Sequence, residues 1–245
     1  MEHTPKSLIT IPKIIHQIYE DPKGPSQELL DISNSWKLKH PNWLYYFWDK
    51  NKIDHFLRTY FQDFISYYNS YIFPVQRWDA IRYLILYIYG GMYVDFDYEC
   101  LNSIESLLVD SDCCIGLEPH ENASFYSKDF IIGNALMATT PSHPFFKMII
   151  DDLILNNNHS FSKWDGIQII ESTGPFLVTR VYKNYPHKDE IKLLPSEFVT
   201  PLTFNEVRDL VNDNITVEIE QKVEKAFAIH YFSGSWLSQL KNNKL

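Results

Sequence analysis

The 245-residue sequence is poor in cysteine and lacks long apolar runs. Its three cysteines, Cys100, Cys113 and Cys114, are odd in number and two are adjacent, which suits neither a disulfide framework nor a CxxC zinc site. We therefore expect free, buried thiols. No apolar stretch reaches the length that spans a bilayer, and the first six residues lack the layout of a signal peptide. From these absences we expect a protein of the cytoplasm.

Basic residues are also in deficit, with 22 Lys and Arg against 31 Asp and Glu and a formal charge of -9. A nucleic-acid-binding surface needs a basic patch to neutralise phosphates, so this class of function is disfavoured. The hydrophobic share of 45% is sufficient for a packed core. Since no repeat, low-complexity run or long linker interrupts the chain, we predict a single domain over residues 1–245.

Strand-like and helix-like patterns alternate along the sequence. Ser26 is a candidate N-cap of the first helix, and Gly90 follows the longest helical pattern as a stop signal. We predict strands at 11–19, 43–48, 92–94, 113–117, 129–138, 191–194 and 226–231, and helices at 26–39, 51–72 (two short ones), 74–89, 144–155 and 166–182. This alternation predicts an α/β fold with a mainly parallel central sheet flanked by helices, whose ligands gather at the carboxyl ends of the strands.

An acidic tripeptide, Asp95-Phe96-Asp97, follows the predicted strand 92–94. In an extended chain alternate side chains share a face, so both carboxylates point one way and Phe96 points to the core. Two close carboxylates repel each other unless a cation lies between them, and a hard divalent ion with oxygen ligands suits this role. The plain alternative is a solvated turn, because an isolated DxD is common.

The helix predicted at 74–89 is apolar nearly all round, which is typical of a buried helix. Asp79 and Arg82 nevertheless share one of its faces at i and i+3 spacing. Buried charges are costly unless they are paired. The pair is therefore either a structural salt bridge or part of a ligand site. Because Gly90, which ends the helix, is only a few residues before Asp95 in the sequence, we expect the helix and the tripeptide to meet at one site.

The segments RWDAIRY at 77–83 and YGGMYVDFD at 89–97 closely resemble glycosyltransferase family 32, the DXD sugar-binding family. They are also similar to the catalytic domain of the large clostridial glucosylating toxins. The resemblance covers most of the chain and keeps the order of the family. It extends to residues 11–19, 35–36, 41, 48, 133–138, 143–144, 173–175, 230 and 235–236.

The resemblance implies a retaining transferase with a GT-A fold and a bound Mn²⁺ or Mg²⁺. It implies that Asp97 binds the metal directly, and that Asp95 contacts the ribose and sugar of the donor and reaches the metal through water. Asp79 and Arg82 match residues that hold the donor sugar. His230 falls where the family closes the metal site, and imidazole suits manganese. Taken alone, His230 is better interpreted as a satisfied core histidine than as a ligand.

Further donor contacts are implied at both ends of the chain. Ser235 and Trp236 resemble a closing loop over the leaving diphosphate, although a Trp near a chain end also serves packing. Tyr19 stands where the family more often carries the Trp that stacks on the nucleotide base. His16 faces the other way on the same strand, so we expect only a minor nucleotide role for it.

Three residues are candidates for contacts with the acceptor. They are Asn134, which follows Gly133 in a segment that carries the resemblance, and Asp165 and Gln168, which belong to one polar stretch.

From these observations we expect a retaining, metal-dependent transfer of a hexose from UDP-hexose or GDP-mannose to a glycan or glycolipid, in surface polysaccharide synthesis. The expected partners are the nucleotide sugar and the acceptor, without nucleic acid, with peripheral association at the inner membrane face. Two alternatives stay open. One is a non-catalytic relative that only binds nucleotide sugars, and the other is a metal-dependent nucleotide pyrophosphatase. No Walker-type GxxxxGK[ST] loop favours the second.

Overall fold

The computed structural model describes residues 10–20, 23–156 and 166–234. Its strands are β1 (Ile14–Ile18), β2 (Leu44–Trp48), β3 (Gly91–Val94), β4 (Tyr98–Cys100), β5 (Cys113–Leu117), β6 (Ile132–Thr139), β7 (Lys192–Leu194) and β8 (Ala228–His230). Its helices are α1 (Gln27–Lys39), α2 (Lys50–Tyr60), α3 (Ile65–Ser70), α4 (Pro74–Tyr89), α5 (Glu105–Leu108), α6 (His120–Phe125), α7 (Pro144–Leu155), α8 (Gly166–Ser172), α9 (Pro175–Asn184), α10 (Ser196–Val199), α11 (Phe204–Val211) and α12 (Val217–Lys225). Short 3-10 turns lie at Gln62–Phe64 and Lys188–Glu190.

Six strands form the central sheet in the order β2-β1-β3-β6-β5-β7. Neighbouring strands run parallel except β6, which is antiparallel to both β3 and β5. The α/β fold with a mainly parallel sheet is therefore confirmed. Five strands place their carboxyl ends at one edge, the edge at which ligands gather in such sheets.

Helix α4 is the central helix of the core. Pro74 occupies its first turn, where a missing backbone N–H costs nothing, and Ala80 to Leu86 are all buried. Gly90 ends the helix with φ 62°, and a Cβ at this position would lie 2.7 Å from Cδ of Pro141. Only glycine fits this turn, which leads the chain directly from α4 into β3.

A second, two-stranded sheet connects the end of the described chain to the centre of the molecule. Strands β4 and β8 pair antiparallel, with Tyr98 opposite His230 and Cys100 opposite Ala228. Since β4 begins at Tyr98, directly after the acidic tripeptide, this pairing brings His230 to Asp97. The expectation of a strand at 226–231 is confirmed over Ala228–His230.

The predicted single helix at 166–182 is wrong, because the chain forms two helices, α8 and α9. Gly174 has an extended backbone, with φ -89° and ψ -154°, and Pro175 lacks the N–H that a continuous helix needs. Thr173 lies at the break between the two helices and is fully buried, with 0% of its surface exposed. Sequence analysis also missed α5, α6, α10, α11 and α12, which are short or lie where no apolar period is evident.

Cys100, Cys113 and Cys114 are all free and buried, as expected. No helix in the described ranges is long and apolar enough to cross a membrane. That residues 1–245 form one domain stays a prediction.

Candidate active site

The acidic tripeptide lies at the carboxyl end of β3, as predicted. The Asp95 backbone N donates to the carbonyl of Ala135 at 2.8 Å, which extends the pairing with β6 by one residue. Phe96 is 8% exposed, while Asp95 and Asp97 flank it on the other side of the chain. The chain turns at Phe96 and Asp97, where the backbone N of Tyr98 donates to the Asp95 carbonyl at 3.2 Å, so the strand itself ends before Phe96.

Asp95, Asp97 and His230 form one cluster, in which one ligand atom from each residue lies within 4.8 Å of the others. Nε2 of His230 is 3.4 Å from Oδ1 of Asp97. The ring of Tyr98 stacks on His230 with centroids 4.9 Å apart and fixes the plane of the imidazole. Two carboxylates and one imidazole match the ligand preferences of Mn²⁺, and the carboxylates also suit Mg²⁺. These donor atoms fit a divalent ion.

Opposite charges within this cluster shift the pKa values of two members. Burial alone would raise the pKa of Asp97, but His230 and the hydrogen bonds from His230 and Ser233 hold it well below its usual range. Burial alone would lower the pKa of His230, but Asp97 and Asp95 raise it. Without a metal, a protonated imidazole and an ionised carboxylate thus stabilise each other.

The segment after β8 crosses directly over Asp97. The backbone N of Ser233 donates to Oδ2 of Asp97 at 2.8 Å, and Oγ of Ser233 donates to the same atom at 2.6 Å. The backbone N of Tyr231 donates to the Asp97 carbonyl at 3.0 Å. Phe232, between them, has φ 45°, a strained conformation for an aromatic residue.

Arg82 links the buried helix to the cluster. Its Nη2 lies 3.0 Å from Oδ1 of Asp79, and its Nη1 lies 3.0 Å from Oδ1 of Asp95. The Asp79–Arg82 pair is therefore a salt bridge, and it is also continuous with the acidic tripeptide. Tyr93, which the sequence analysis missed, donates from its hydroxyl to Oδ1 of Asp95 at 2.7 Å.

Asp79 is held at both carboxylate oxygens. Oγ1 of Thr173 donates to Oδ2 at 3.0 Å, and Nδ2 of Asn134 donates to Oδ1 at 2.9 Å. Burial raises the pKa of Asp79 to about 6, against the lowering effect of Arg82. Thr173 belongs to segment 173–175, which carries part of the family resemblance, but nothing in the neighbouring sequence predicted its contact with Asp79 on α4.

The remaining candidates for donor and acceptor contacts lie on several elements. Asn134 contacts Asp79 through its Nδ2, and its predicted role at the acceptor stays a prediction. The ring of Tyr19 lies 4.9 Å from that of Phe96, next to the tripeptide. Gln168 lies on α8.

Three candidates, Asp165, Ser235 and Trp236, lie outside the described residues, so their predicted roles stay predictions.

The structure does not bring His16 to the cluster. His16 is 2% exposed, its Nε2 bonds the Gly90 carbonyl at 3.0 Å, and its Nδ1 accepts from Nε1 of Trp48 at 3.2 Å. Burial lowers its pKa to about 4, so the ring is neutral. Trp48 and Tyr89 line a separate cavity of about 300 Å³. His16 thus stabilises the turn after α4, a role that its position on the opposite face of β1 explains.

Glu118 is an acidic residue at the same sheet edge that sequence analysis missed. It follows β5, and its backbone N donates to the Ile131 carbonyl at 3.0 Å. Burial raises the pKa of its half-buried carboxyl to about 7, against the lowering effect of His230. No sequence signal identified it, since a lone Glu after a strand is common.

Comparison with known proteins was consistent with this geometry. Residues 26–113 match the model of a family described as "Glycosyltransferase sugar-binding region containing DXD motif". The matched range includes Asp79, Arg82, Asp95 and Asp97, which the structure brings together.

Two curated relatives are fungal. The chain is 30% identical over 198 residues to inositol phosphoceramide mannosyltransferase 1 of Schizosaccharomyces pombe, covering 78% of this chain and 58% of that protein. It is 34% identical over 179 residues to mannosyl phosphorylinositol ceramide synthase CSH1 of Saccharomyces cerevisiae, covering 71% of this chain and 43% of that protein. The chain thus spans about half the length of these relatives.

Among solved structures, a glycosyltransferase named PaToxG superposes with a TM-score of 0.55 and 18% identity, covering 87% of this chain and 79% of that one. A likeness at this level of identity shows the fold. The fold is that of a glycosyltransferase domain, and the predicted GT-A type is confirmed.

Proposed function

The chain belongs to the glycosyltransferase family whose sugar-binding region contains a DXD motif, and from this premise we propose that it moves a hexose from a nucleotide diphosphate sugar to a glycolipid. The observation that carries the proposal is the convergence of Asp95, Asp97 and His230 within 4.8 Å, beside the buried Asp79–Arg82 pair. Mannose is the preferred sugar, since the two fungal relatives are named for mannosyl transfer. GDP-mannose is then the first donor to test, and UDP-hexoses are the second.

We propose that Asp97, Asp95 and His230 hold Mn²⁺ or Mg²⁺. A divalent ion at this place would neutralise the charge that develops on the departing diphosphate. The chain itself contributes fixed positions. Tyr98 orients the imidazole of His230, Ser233 orients the carboxylate of Asp97, and Tyr93 orients that of Asp95.

Asp79 and Arg82 hold the donor sugar in this proposal. Their side chains are fixed before the donor binds, because Arg82 bridges two carboxylates and Asp79 accepts from Thr173 and Asn134. Such preorganisation lowers the reorganisation needed in the transition state. We propose that the acceptor hydroxyl attacks the anomeric carbon on the face that the diphosphate leaves, which retains configuration.

A glycolipid acceptor is supported by the names of the two fungal relatives, which contain inositol phosphoceramide and mannosyl phosphorylinositol ceramide. Such an acceptor lies in a bilayer, so we propose peripheral association at the inner membrane face, with the chain in the cytoplasm. Flotation of the purified chain with liposomes that contain inositol phosphoceramide tests the association. A chain that stays unbound at every lipid concentration would contradict it.

The reaction itself is tested by incubating the chain with Mn²⁺, each of a panel of GDP- and UDP-sugars, and inositol phosphoceramide in detergent micelles. We expect chelator-sensitive release of nucleoside diphosphate from one donor and a glycosylated lipid of retained configuration. Release of nucleoside monophosphate would instead identify a pyrophosphatase. Donor binding without any turnover would identify a binding protein.

A further inference from the structure

Glu118 lies beside the donor cluster without belonging to it. A Cβ built on Gly133 would lie 3.6 Å from Cγ and 4.0 Å from Oε1 of Glu118, so the side chain stands directly over this glycine of β6. The next residue is Asn134, whose amide holds Asp79. Glu118 therefore occupies the sheet edge immediately next to the residues proposed to bind the donor sugar.

The carboxylate of Glu118 forms no salt bridge among the described residues, although, against the larger effect of burial, His230 and the side chain of Asn122 both lower its pKa. Within residues 10–20, 23–156 and 166–234, no ion pair joins it to a Lys, Arg or His. A half-buried carboxylate without a salt bridge carries a desolvation cost that a bound ligand with hydrogen-bond donors would offset. Hydroxyl groups are such donors, and they add no charge.

Four aromatic residues form a row that runs from His230 to the surface. The ring centroids are separated by 4.1 Å for His230 and Phe232, 4.7 Å for Phe232 and Phe204, 6.5 Å for Phe204 and Tyr126, and 5.0 Å for Tyr126 and Phe125. Phe125 at the outer end is 76% exposed. We call Phe232, Phe204, Tyr126 and Phe125 the aromatic row.

The aromatic row is held in place from two sides. Oδ1 of the buried Asn122 accepts from the backbone N of Phe204 at 3.3 Å, which ties α6 to α11. Phe232 is fixed by Ser233, which bonds to Asp97. The row is thus anchored to the proposed metal cluster at one end. At the other end, Phe125 is the last residue of α6, a helix that begins two residues after Glu118 and whose Asn122 backbone N donates to the carbonyl of Pro119 at 3.1 Å.

A carboxylate next to aromatic rings matches the chemistry of a polyhydroxylated ring. The hydroxyls donate to the carboxylate, and the C–H faces of the ring pack against the aromatic rings. Donor-sugar contacts are already assigned to Asp79 and Arg82, on the other side of Asn134. We infer that Glu118 and the aromatic row bind the polyhydroxylated ring of the acceptor, a sugar or a cyclitol, next to the metal cluster.

This inference rests on the proposed function and concerns binding alone. Glu118 accepts hydrogen bonds from ring hydroxyls that do not react. Loss of the Glu118 carboxylate should therefore weaken binding of the acceptor without slowing the attack of water on the donor. The two variants that test it are Glu118→Gln and Phe125→Ala. Phe125 is exposed, so Phe125→Ala leaves the core intact.

The experiment measures two rates with Mn²⁺ and the donor that the wild type cleaves. One is acceptor-free release of nucleoside diphosphate, and the other is transfer to inositol phosphoceramide in detergent micelles. We expect the KM for the lipid to rise about tenfold in Glu118→Gln, from loss of a charge-assisted hydrogen bond, and about threefold in Phe125→Ala. Acceptor-free hydrolysis at saturating Mn²⁺ should stay at the wild-type rate.

Two matched controls accompany these variants. Glu121→Gln changes an exposed carboxylate on α6, and Leu155→Ala changes a side chain that is 77% exposed. Both should behave as the wild type. An unchanged lipid KM in both test variants would overturn the inference. So would an equal loss of hydrolysis and transfer in Glu118→Gln, which would assign Glu118 to the donor or the metal.

The behaviour of the wild type in the same assay tests the proposed function separately from this inference. A wild type that cleaves no donor contradicts the transferase reaction itself. A wild type that hydrolyses the donor but leaves the lipid unglycosylated contradicts the glycolipid acceptor, and this inference with it.

Discussion

Nε2 of His230 lies 3.4 Å from Oδ1 of Asp97, although the two residues are far apart in the sequence. The pairing of β4 with β8 creates this contact, and Tyr98 supports it by stacking on the imidazole. The pair forms a charged contact when His230 is protonated. In the proposed metal site the same pair would supply two of the three ligands, so a proton and a metal ion would compete for His230.

This competition predicts that Mn²⁺ affinity rises with pH. The pKa of His230 is raised above its usual value, with Asp97 and Asp95 opposing the effect of burial, so at acidic pH a proton must leave before the metal binds. We expect affinity to increase about tenfold for each pH unit below the folded-state pKa of His230, and to level off above it. Calorimetric titration with Mn²⁺ from pH 5.5 to 8 measures this.

Replacement of His230 provides the control for that prediction. His230→Ala should bind Mn²⁺ more weakly at high pH and with little pH dependence. A pH dependence as steep in His230→Ala as in the wild type would contradict the assignment of His230.

Removing Arg82 should cost both activity and stability. Arg82→Met leaves Asp79 buried without its ionic partner, and breaking a buried pair in this way costs about 3–5 kcal/mol. Urea unfolding measures the loss. The double variant Asp79→Asn, Arg82→Met should recover part of that stability but none of the donor cleavage. A double variant as unstable as Arg82→Met would show that the charge left on Asp79 is not the cause.

Thr173→Val should weaken donor cleavage through Asp79. The substitution keeps the shape but removes the hydroxyl that donates to Oδ2 at 3.0 Å, an effect of about 1–3 kcal/mol on a buried acceptor. We expect kcat to fall while the protein stays folded. Thr59→Val removes a hydroxyl from an exposed helix position and should change stability by no more than about 0.5 kcal/mol. Equal effects of the two variants on kcat would contradict a positioning role for Thr173.

The sequence alone predicted those features that depend on residues close together in the chain. Helix α4 was predicted over its full length, because Pro74 and Gly90 mark its ends and its interior is apolar. Asp95 and Asp97 were predicted to share a face from strand alternation, and their carboxylates do lie within 4.8 Å, although a turn at Phe96 and Asp97 brings them together. Asp79 and Arg82 were adjacent for the same kind of reason, through helical spacing.

Contacts between distant segments were harder to predict. His230 was assigned only through family resemblance, since its approach to Asp97 depends on the pairing of β4 with β8. Thr173, Tyr93 and Glu118 went unassigned, because each gains its role from a neighbour on another element or across a strand end. The error at 166–182 had a local cause, since Gly174-Pro175 already interrupts that helical pattern.

The most direct test of the central claim is metal-dependent donor cleavage by Asp97→Asn beside the wild type. The account predicts that the wild type releases nucleoside diphosphate from its donor only with Mn²⁺ or Mg²⁺, and that Asp97→Asn is slower by about 100-fold or more. Asp209→Asn, on the exposed face of α11, should match the wild type. Full metal-dependent cleavage by Asp97→Asn, or cleavage by the wild type that a chelator leaves unchanged, would contradict the account.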